Sequence, residues 1–157
     1  MTEQYEEILD TLRGLTAGER DLIANLSNAS AVLMELLPSL NWAGFYLLKK
    51  GVLVLGPFQG KPACIRIPVG KGVCGTAAEN KETICVPDVH AFPGHIACDQ
   101  ASRSEIVVPL ITEGRLAGVM DLDSPMPGRF GEDDAEGLKK IAELLEEACD
   151  WACAFSC

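Results

Sequence analysis

Two tight turns constrain this chain more than any other feature. Lys49-Lys50-Gly51 separates the apolar run Trp42-Ala43-Gly44-Phe45-Tyr46-Leu47-Leu48 from residues 52–55, and Glu113-Gly114 separates residues 104–110 from residues 115–123. Each is a pair of β-prone runs joined by a short glycine-containing turn, which is the pattern of a hairpin. Hairpins make antiparallel neighbours. Further strands are expected at 63–68 and 83–86, with a short helix at Gly72–Asn80 between them. Helical spacing brackets the strands. Tyr5, Ile8, Leu9 and Leu12 share one face. Thr16, with Glu19 three residues on, reads as a capping box opening a second helix whose face is Leu22, Leu26, Ala29, Leu33 and Leu37, ending at Pro38. The last helix is expected over 132–154, striped by Leu138, Ile141, Leu145, Ala148 and Ala152, with Glu132, Asp133 and Asp134 in its first turn. This order predicts an α+β fold: a central antiparallel sheet with flanking helices, in a single domain over 1–157, the N-terminal helices of 2–37 and the helix of 132–154 packing on the sheet.

The formal net charge of −10 opposes nucleic acid as a partner. No apolar run approaches the ~20 residues that span a bilayer, so no membrane segment is expected. The N-terminal MTEQYEEILD is acidic and lacks the basic-then-apolar order of a signal peptide, which points to the cytoplasm. In that compartment the seven cysteines, an odd number, are not expected to form a permanent disulfide framework.

Strand periodicity locates candidate chemistry. Over 115–123, Ala117, Val119, Asp121 and Asp123 point one way, and Leu116, Gly118, Met120 and Leu122 point toward the helices. On the preceding strand Glu105 shares a face with Val107 and Pro109, while Ile106, Val108 and Leu110 face the core. Two readings are open: Glu105, Asp121 and Asp123 line one pocket, or they are acids on a solvated sheet face. Residues 87–102 form a long loop holding His90, His95 and Cys98. A loop of this length inside a compact domain is usually functional. His95 and Arg103 favour a Cys98 thiolate, and Asp99 opposes it. A zinc site of Cys85, His90, His95 and Cys98 has suitable atoms but an unusual C-x4-H-x4-H-x2-C spacing. Cys149, Cys153 and Cys157 recur at steps of four, on one helical face that packs or meets a partner helix.

Several stretches together resemble the GAF-domain family of free methionine-(R)-sulfoxide reductases. They are Asn41-Trp42-Ala43-Gly44-Phe45-Tyr46, Leu55-Gly56-Pro57-Phe58-Gln59-Gly60-Lys61, Cys64-Ile65-Arg66-Ile67-Pro68, Gly70-Lys71-Gly72-Val73-Cys74-Gly75-Thr76, Asp88-Val89-His90, Gly94-His95-Ile96-Ala97-Cys98-Asp99, Ser104-Glu105-Ile106-Val107 and Asp121-Leu122-Asp123-Ser124. The resemblance runs from about Leu22 to Leu145. Gly131 departs from it, standing where a Thr-type helix cap is expected, and the cysteines at 149, 153 and 157 lie outside the pattern.

The resemblance implies a GAF-like sheet and a thiol-dependent reductase without a bound cofactor. Cys98 would attack the sulfoxide sulfur and become a sulfenic acid, Cys64 would close a disulfide on it, and Cys74 matches a third cysteine able to join the exchange. Thioredoxin would reduce the disulfide, so that NADPH is consumed indirectly. Trp42 and Tyr46 match an aromatic wall for the substrate methyl group. A sulfoxide needs a proton donor at its oxygen, and a free amino acid brings an ammonium that needs anions. Glu105, Asp121 and Asp123 suit both, with Asp121 assigned to the oxygen and Glu105 and Asp123 to the ammonium. A homodimer is also implied; the stripe continuing through Ala152 and Phe155 offers a surface for it. The alternatives are a GAF module that binds a small ligand without catalysis, and a zinc-stabilised interaction protein.

Overall fold

The computed structural model describes residues 1–95 and 101–156, except for the side chains of Cys153 and Ser156. Cys98 and Cys157 therefore lie outside the described residues. Helix α1 (Glu3–Thr16) starts at Thr2, whose hydroxyl accepts from the Tyr5 amide, and buries Tyr5, Ile8, Leu9 and Leu12. Helix α2 is Leu22–Leu36 and buries Leu22, Leu26, Ala29 and Leu33, the face expected from their spacing. Its cap is not Thr16. That residue closes α1, its hydroxyl donating to the Leu12 carbonyl at 2.8 Å, and Asp21 caps α2 by accepting from the Ala24 amide at 2.9 Å. The Thr16–Glu19 pattern is a false start because α1 runs a turn further than its apolar stripe, and Gly18, at φ 74°, makes the reversal.

Six strands follow: β1 (Trp42–Lys49), β2 (Val52–Gly60), β3 (Arg66–Pro68), β4 (Ile84–Val86), β5 (Ser104–Thr112) and β6 (Arg115–Ser124). They form one sheet of order β3-β2-β1-β6-β5-β4, with every neighbouring pair antiparallel. The two expected hairpins are present, and β1 and β6 close the centre. Helix α3 (Gly72–Asn80) connects β3 to β4, and a 3-10 turn (Val89–Ala91) opens the loop before β5. The α+β sheet-and-helix architecture matches the expectation. Among the described residues no helix is long and apolar enough to cross a membrane.

The sheet separates two cores. Ala43, Phe45, Leu47, Ile106, Val108, Leu110, Met120 and Leu122 meet the buried stripes of α1, α2 and helix α4 (Glu132–Ala148). On the opposite face Trp42, Tyr46, Val107 and Val119 meet Val73, Cys74, Ala77 and Ala78 of α3. The alternation expected on β6 holds from Val119 to Asp123 and inverts before it: Ala117 packs in the first core, and Leu116 against the second. The cause is a bulge. Leu110 pairs with Gly118 and Ile111 with Leu116, so Ala117 is the extra residue, and the faces exchange beyond it.

Three further boundaries differ from expectation. Strand β2 continues to Gly60 through Pro57, which sits at the register shift opposite Phe45, where a strand tolerates a missing amide donor. Strand β3 begins only at Arg66, because residues 61–65 leave the ladder. The C-terminal helix breaks after Ala148. Cys149 is extended (φ −93°, ψ 152°), and the Arg20 guanidinium donates to the carbonyls of Glu147, Ala148 and Cys149. A short helix, α5 (Ala152–Ser156), then folds back toward β1. Cys149 and Cys153 therefore do not lie on one continuous helix. Trp151 and Ala154 are buried within the chain, and the Arg115 guanidinium lies 4.0 Å above the Phe155 ring. Of the stripe expected to meet a partner, Ala152 is exposed and Phe155 half-buried.

Candidate active site

The second face of the sheet opens into a pocket roofed by α3 and the segment before β3. Strands β1, β5 and β6 supply its floor. Antiparallel register brings the acids together: Glu105 on β5 pairs with Asp123 on β6, Val107 with Asp121, and Trp42 on β1 with Asp123. Glu105, Asp121, Asp123, Trp42, Tyr46 and Cys74 all line the one pocket, so the solvated-face reading of the acids is set aside. Glu105 and Asp121 are only 6 % and 5 % exposed.

Burying carboxylates together is costly unless they share protons. Burial, and then the charges of Asp121 and Asp123, push the Glu105 carboxyl well above its usual range. Burial also raises Asp121, while hydrogen bonds with Glu105 and Cys74 hold it back. The two carboxyls are coupled, and burial raises both, so a proton is held more tightly by the pair than by an exposed carboxyl. The Asp121 Oδ1 atom is buried with no hydrogen-bond partner. The Cys74 thiol lies 3.9 Å from Glu105 Oε2; burial, then the charges of Asp121, Glu105 and Asp123, push it well above the ordinary thiol range. Cys74, Glu105 and Asp121 are the one His, Cys, Asp and Glu group among the described residues close enough to hold an ion, their ligand atoms lying within 4.8 Å of one another.

Aromatic rings form the adjoining wall. Trp42 stacks on Tyr46 at 6.0 Å and on Phe58 at 5.3 Å between centroids. Their polar ends do a second job. Trp42 Nε1–H donates to the Lys61 carbonyl at 3.2 Å, and the Tyr46 hydroxyl donates to the Cys64 carbonyl at 2.9 Å. These two bonds hold residues 61–64 over the pocket after the chain has left the ladder. Cys64 is half-buried there and disulfide-bonded, whereas Cys74 is a free thiol.

Lys71, Gly72 and Val73 bring the N-terminus of α3 to the pocket, and no side chain caps it. The approach depends on glycine. Gly72 has φ 63°, and a Cβ on Gly75 would collide with the Pro68 carbonyl. The helix start and Ser102 are pocket features absent from the sequence-level site. The Gly70-Lys71-Gly72 opening of a helix without a capping residue was the available signal for the first. Nothing marks Ser102, which lines the pocket and accepts from Asn41 Nδ2 at 3.0 Å. His95 also lines the pocket, and burial, with His90 nearby, lowers its pKa. Cys98, the expected nucleophile, lies outside the described residues. For the zinc alternative, the Cys85 thiol donates to the Phe130 carbonyl at 3.2 Å, and Cys85, His90 and His95 do not form a three-ligand group among the described residues, while Cys98 lies outside them.

The GAF domain family model matches residues 1–149. The chain is 52% identical over 146 residues to the free methionine-R-sulfoxide reductase of Escherichia coli, covering 93% of this chain and 88% of that protein. The reduced form of fRMsr of Staphylococcus aureus superposes with a TM-score of 0.90 at 49% identity, over 92% of this chain and 94% of that one. The free methionine-R-sulfoxide reductase of Neisseria meningitidis, solved in complex with its substrate, superposes with a TM-score of 0.89 at 49% identity, over 92% of this chain and 87% of that one. On likeness of this extent, carried across almost the whole chain, the protein belongs to the GAF-domain family of free methionine-R-sulfoxide reductases.

Proposed function

We propose that this enzyme reduces free L-methionine-(R)-sulfoxide to L-methionine by thiol chemistry. The observation that carries the reading is the meeting, in one pocket, of Glu105, Asp121 and Asp123, the first two buried, with an aromatic wall. A sulfoxide oxygen needs a proton as the S–O bond breaks, and the Glu105–Asp121 pair is a desolvated acid suited to give it. This shifts Glu105 from the ammonium role expected of it toward the acid. Asp123, half-buried, takes the ammonium, and the uncapped amides at the start of α3 suit the carboxylate. Trp42 and Tyr46 present apolar ring surface to the methyl group.

Cys98 attacks the sulfoxide sulfur, methionine leaves, and the oxygen stays on Cys98 as a sulfenic acid. The Cys64 thiol attacks the Cys98 sulfur, expels water and closes a disulfide. The disulfide-bonded state of Cys64, over the pocket, supports its part as resolving thiol. Cys74 is a reserve partner for exchange. Thioredoxin returns the disulfide to two thiols, with NADPH consumed only indirectly and no cofactor bound. The setting is the cytoplasm and the working form a homodimer, which light scattering under reducing conditions checks.

The test is methionine formed per enzyme without reductant. Cys98→Ser should release none, and Cys64→Ser should complete one turnover and then stall. Full single turnover by Cys98→Ser overturns the nucleophile assignment. Equal activity on an N-acylated or S-configured substrate overturns the substrate assignment. The non-catalytic ligand-binding reading predicts binding without methionine release from any variant.

A further inference from the structure

The charge of this chain is unevenly distributed. From residue 36 to residue 78 there is no carboxylate side chain, although the chain has 23 acidic residues; the same stretch holds Lys49, Lys50, Lys61, Arg66 and Lys71, five of the chain's 13 basic residues. Arg66 lies on the edge strand, Lys49 and Lys50 lie at the turn beside it, and Lys61 leads into it from the far end of β2. Strand β3 is the outer strand of the sheet, its Pro68 pairs with Val52 just after the Lys49–Lys50 turn, and residues 61–65 run beside it. Cys64 sits in the middle of this basic edge, with Lys61, Ile65 and Arg66 exposed around it.

The same edge exposes apolar surface. Ile65 is 65% exposed, the most of any large hydrophobic among the described residues, and Val69 is 37% exposed. The residue before Ile65 is held in place through the Tyr46–Cys64 hydrogen bond, and Ile65 itself by its carbonyl accepting from the Leu55 amide at 2.9 Å. The side chain is thus presented outward on an anchored backbone. An exposed apolar side chain flanked by Lys61 and Arg66, beside a disulfide-bonded sulfur, suits a brief encounter with a protein of opposite charge, although the Glu79 carboxylate lies near Gly70 farther along the edge.

We propose that the β3 edge, centred on Ile65 with Arg66 and Lys61, is the docking surface for an acidic dithiol oxidoreductase that reduces the Cys64 disulfide. The inference rests on the thiol cycle proposed above and adds the surface that selects its electron donor. A thiolate of the donor attacks Cys64 Sγ and forms a mixed disulfide. The original S–S bond breaks, and its electron pair goes to the departing sulfur, which takes a proton. The donor's second thiol, losing its proton, then displaces Cys64, which leaves as a thiolate and is protonated. The donor ends as a disulfide and this chain as two thiols, a transfer of two electrons and two protons.

The experiment uses the full chain, oxidised, with thioredoxin as the probe and dithiothreitol as a small donor that needs no docking. Thiol formation is followed by alkylation and mass measurement, without methionine sulfoxide, so the result is independent of substrate chemistry. The Ile65→Ser/Arg66→Glu variant alters two exposed side chains. Its reduction by thioredoxin should slow by about tenfold or more, as loss of one apolar contact and a reversed charge implies. Its reduction by dithiothreitol should match that of the unaltered chain. Added salt should slow thioredoxin with the unaltered chain and affect the variant less. Equal thioredoxin rates for the two proteins overturn the proposal, as does a parallel loss with dithiothreitol. If thioredoxin reduces the chain through this edge but no methionine is ever released, the docking surface stands and the functional reading falls.

Discussion

On β6, Met120 and Leu122 enter a layer of leucines, isoleucines and aromatics, while Asp121 between them enters the pocket with a buried, unpartnered oxygen. The two faces of the strand have opposite chemistry. The helix-covered face holds closely packed apolar side chains. Its charged groups are paired where the Tyr5 hydroxyl donates to Asp134 and Arg129 meets the same carboxylate, and Asn25 Oδ1 on α2 is a buried side-chain oxygen without a partner among the described residues. The pocket face concentrates three carboxyls and a thiol, and burial with the neighbouring acids pushes Glu105 and Cys74 upward. Stability comes from the first face, and the second gives up some of it for reactivity.

Replacing adjacent residues of β6 tests the contrast most strongly. Leu122→Ala should cost about 2–5 kcal/mol in urea unfolding, since its side chain is fully buried and the cavity cannot refill. Asp121→Asn should leave the fold as stable or more so, because a desolvated acid is replaced by a neutral group. Its methionine sulfoxide reduction should fall roughly ten- to a hundredfold, as expected for loss of a charged hydrogen bond. Equal destabilisation by both changes breaks the comparison.

The pH dependence is the next effect in size. Glu105 and Asp121 have folded pKa values raised above their unfolded ones. Below about pH 4 both states are protonated and the contribution is fully present. As pH rises, the unfolded chain releases these protons first, so stability falls until the folded pKa is passed. The slope is at most about 1.4 kcal/mol per pH unit for each proton. Glu105→Gln should flatten it. Denaturant midpoints from pH 4 upward measure the difference, and parallel curves for the two proteins defeat the shared-proton account.

Tyr46 separates the pocket's wall from its frame. Tyr46→Phe keeps the ring and removes the bond to the Cys64 carbonyl, a change of about 0.5–1.5 kcal/mol in holding that segment. Disulfide closure should slow more than methionine release, read by trapping the sulfenic acid and counting disulfides over time. A loss confined to methionine release assigns the hydroxyl to substrate and not to the frame.

Much of this architecture was legible from periodicity. The hairpins, the buried faces of α1 and α2, and the carboxylates at 105, 121 and 123 follow from two-residue and 3.6-residue repeats. The misreadings occur where long-range contacts override local pattern. Thr16 has the local signature of a cap, but α1 consumes it. Ala117 obeys the strand rule until the bulge reverses it. Residues 63–65 read as the start of a strand, yet indole and phenol donors from β1 hold the Lys61 and Cys64 carbonyls over the pocket. The break at Cys149 depends on Arg20, more than a hundred residues away in sequence, reaching the helix's last carbonyls. The acid trio was recognisable as a set, but its proton sharing depends on burial, which spacing does not report.

The smallest effect concerns the end of α4, on the apolar face. Gly131 is the N-cap of that helix, and no side chain caps it there. Its backbone is extended (φ −125°, ψ −167°), which any residue adopts, and a Cβ there meets nothing within 4 Å. Asp134 already accepts from the Gly131 amide at 2.9 Å, half of a capping box. A serine hydroxyl would supply the other half by accepting from the Asp134 amide. Gly131→Ser should therefore stabilise the chain by a few tenths of a kcal/mol from the cap and up to about 1 kcal/mol with the entropy removed from the unfolded state. For a chain of this length the melting temperature should rise by about 1–4 °C. Reduction of methionine sulfoxide should not change, because the site lies on the other face of the sheet. A rise in stability with a fall in turnover would show that the two faces are coupled.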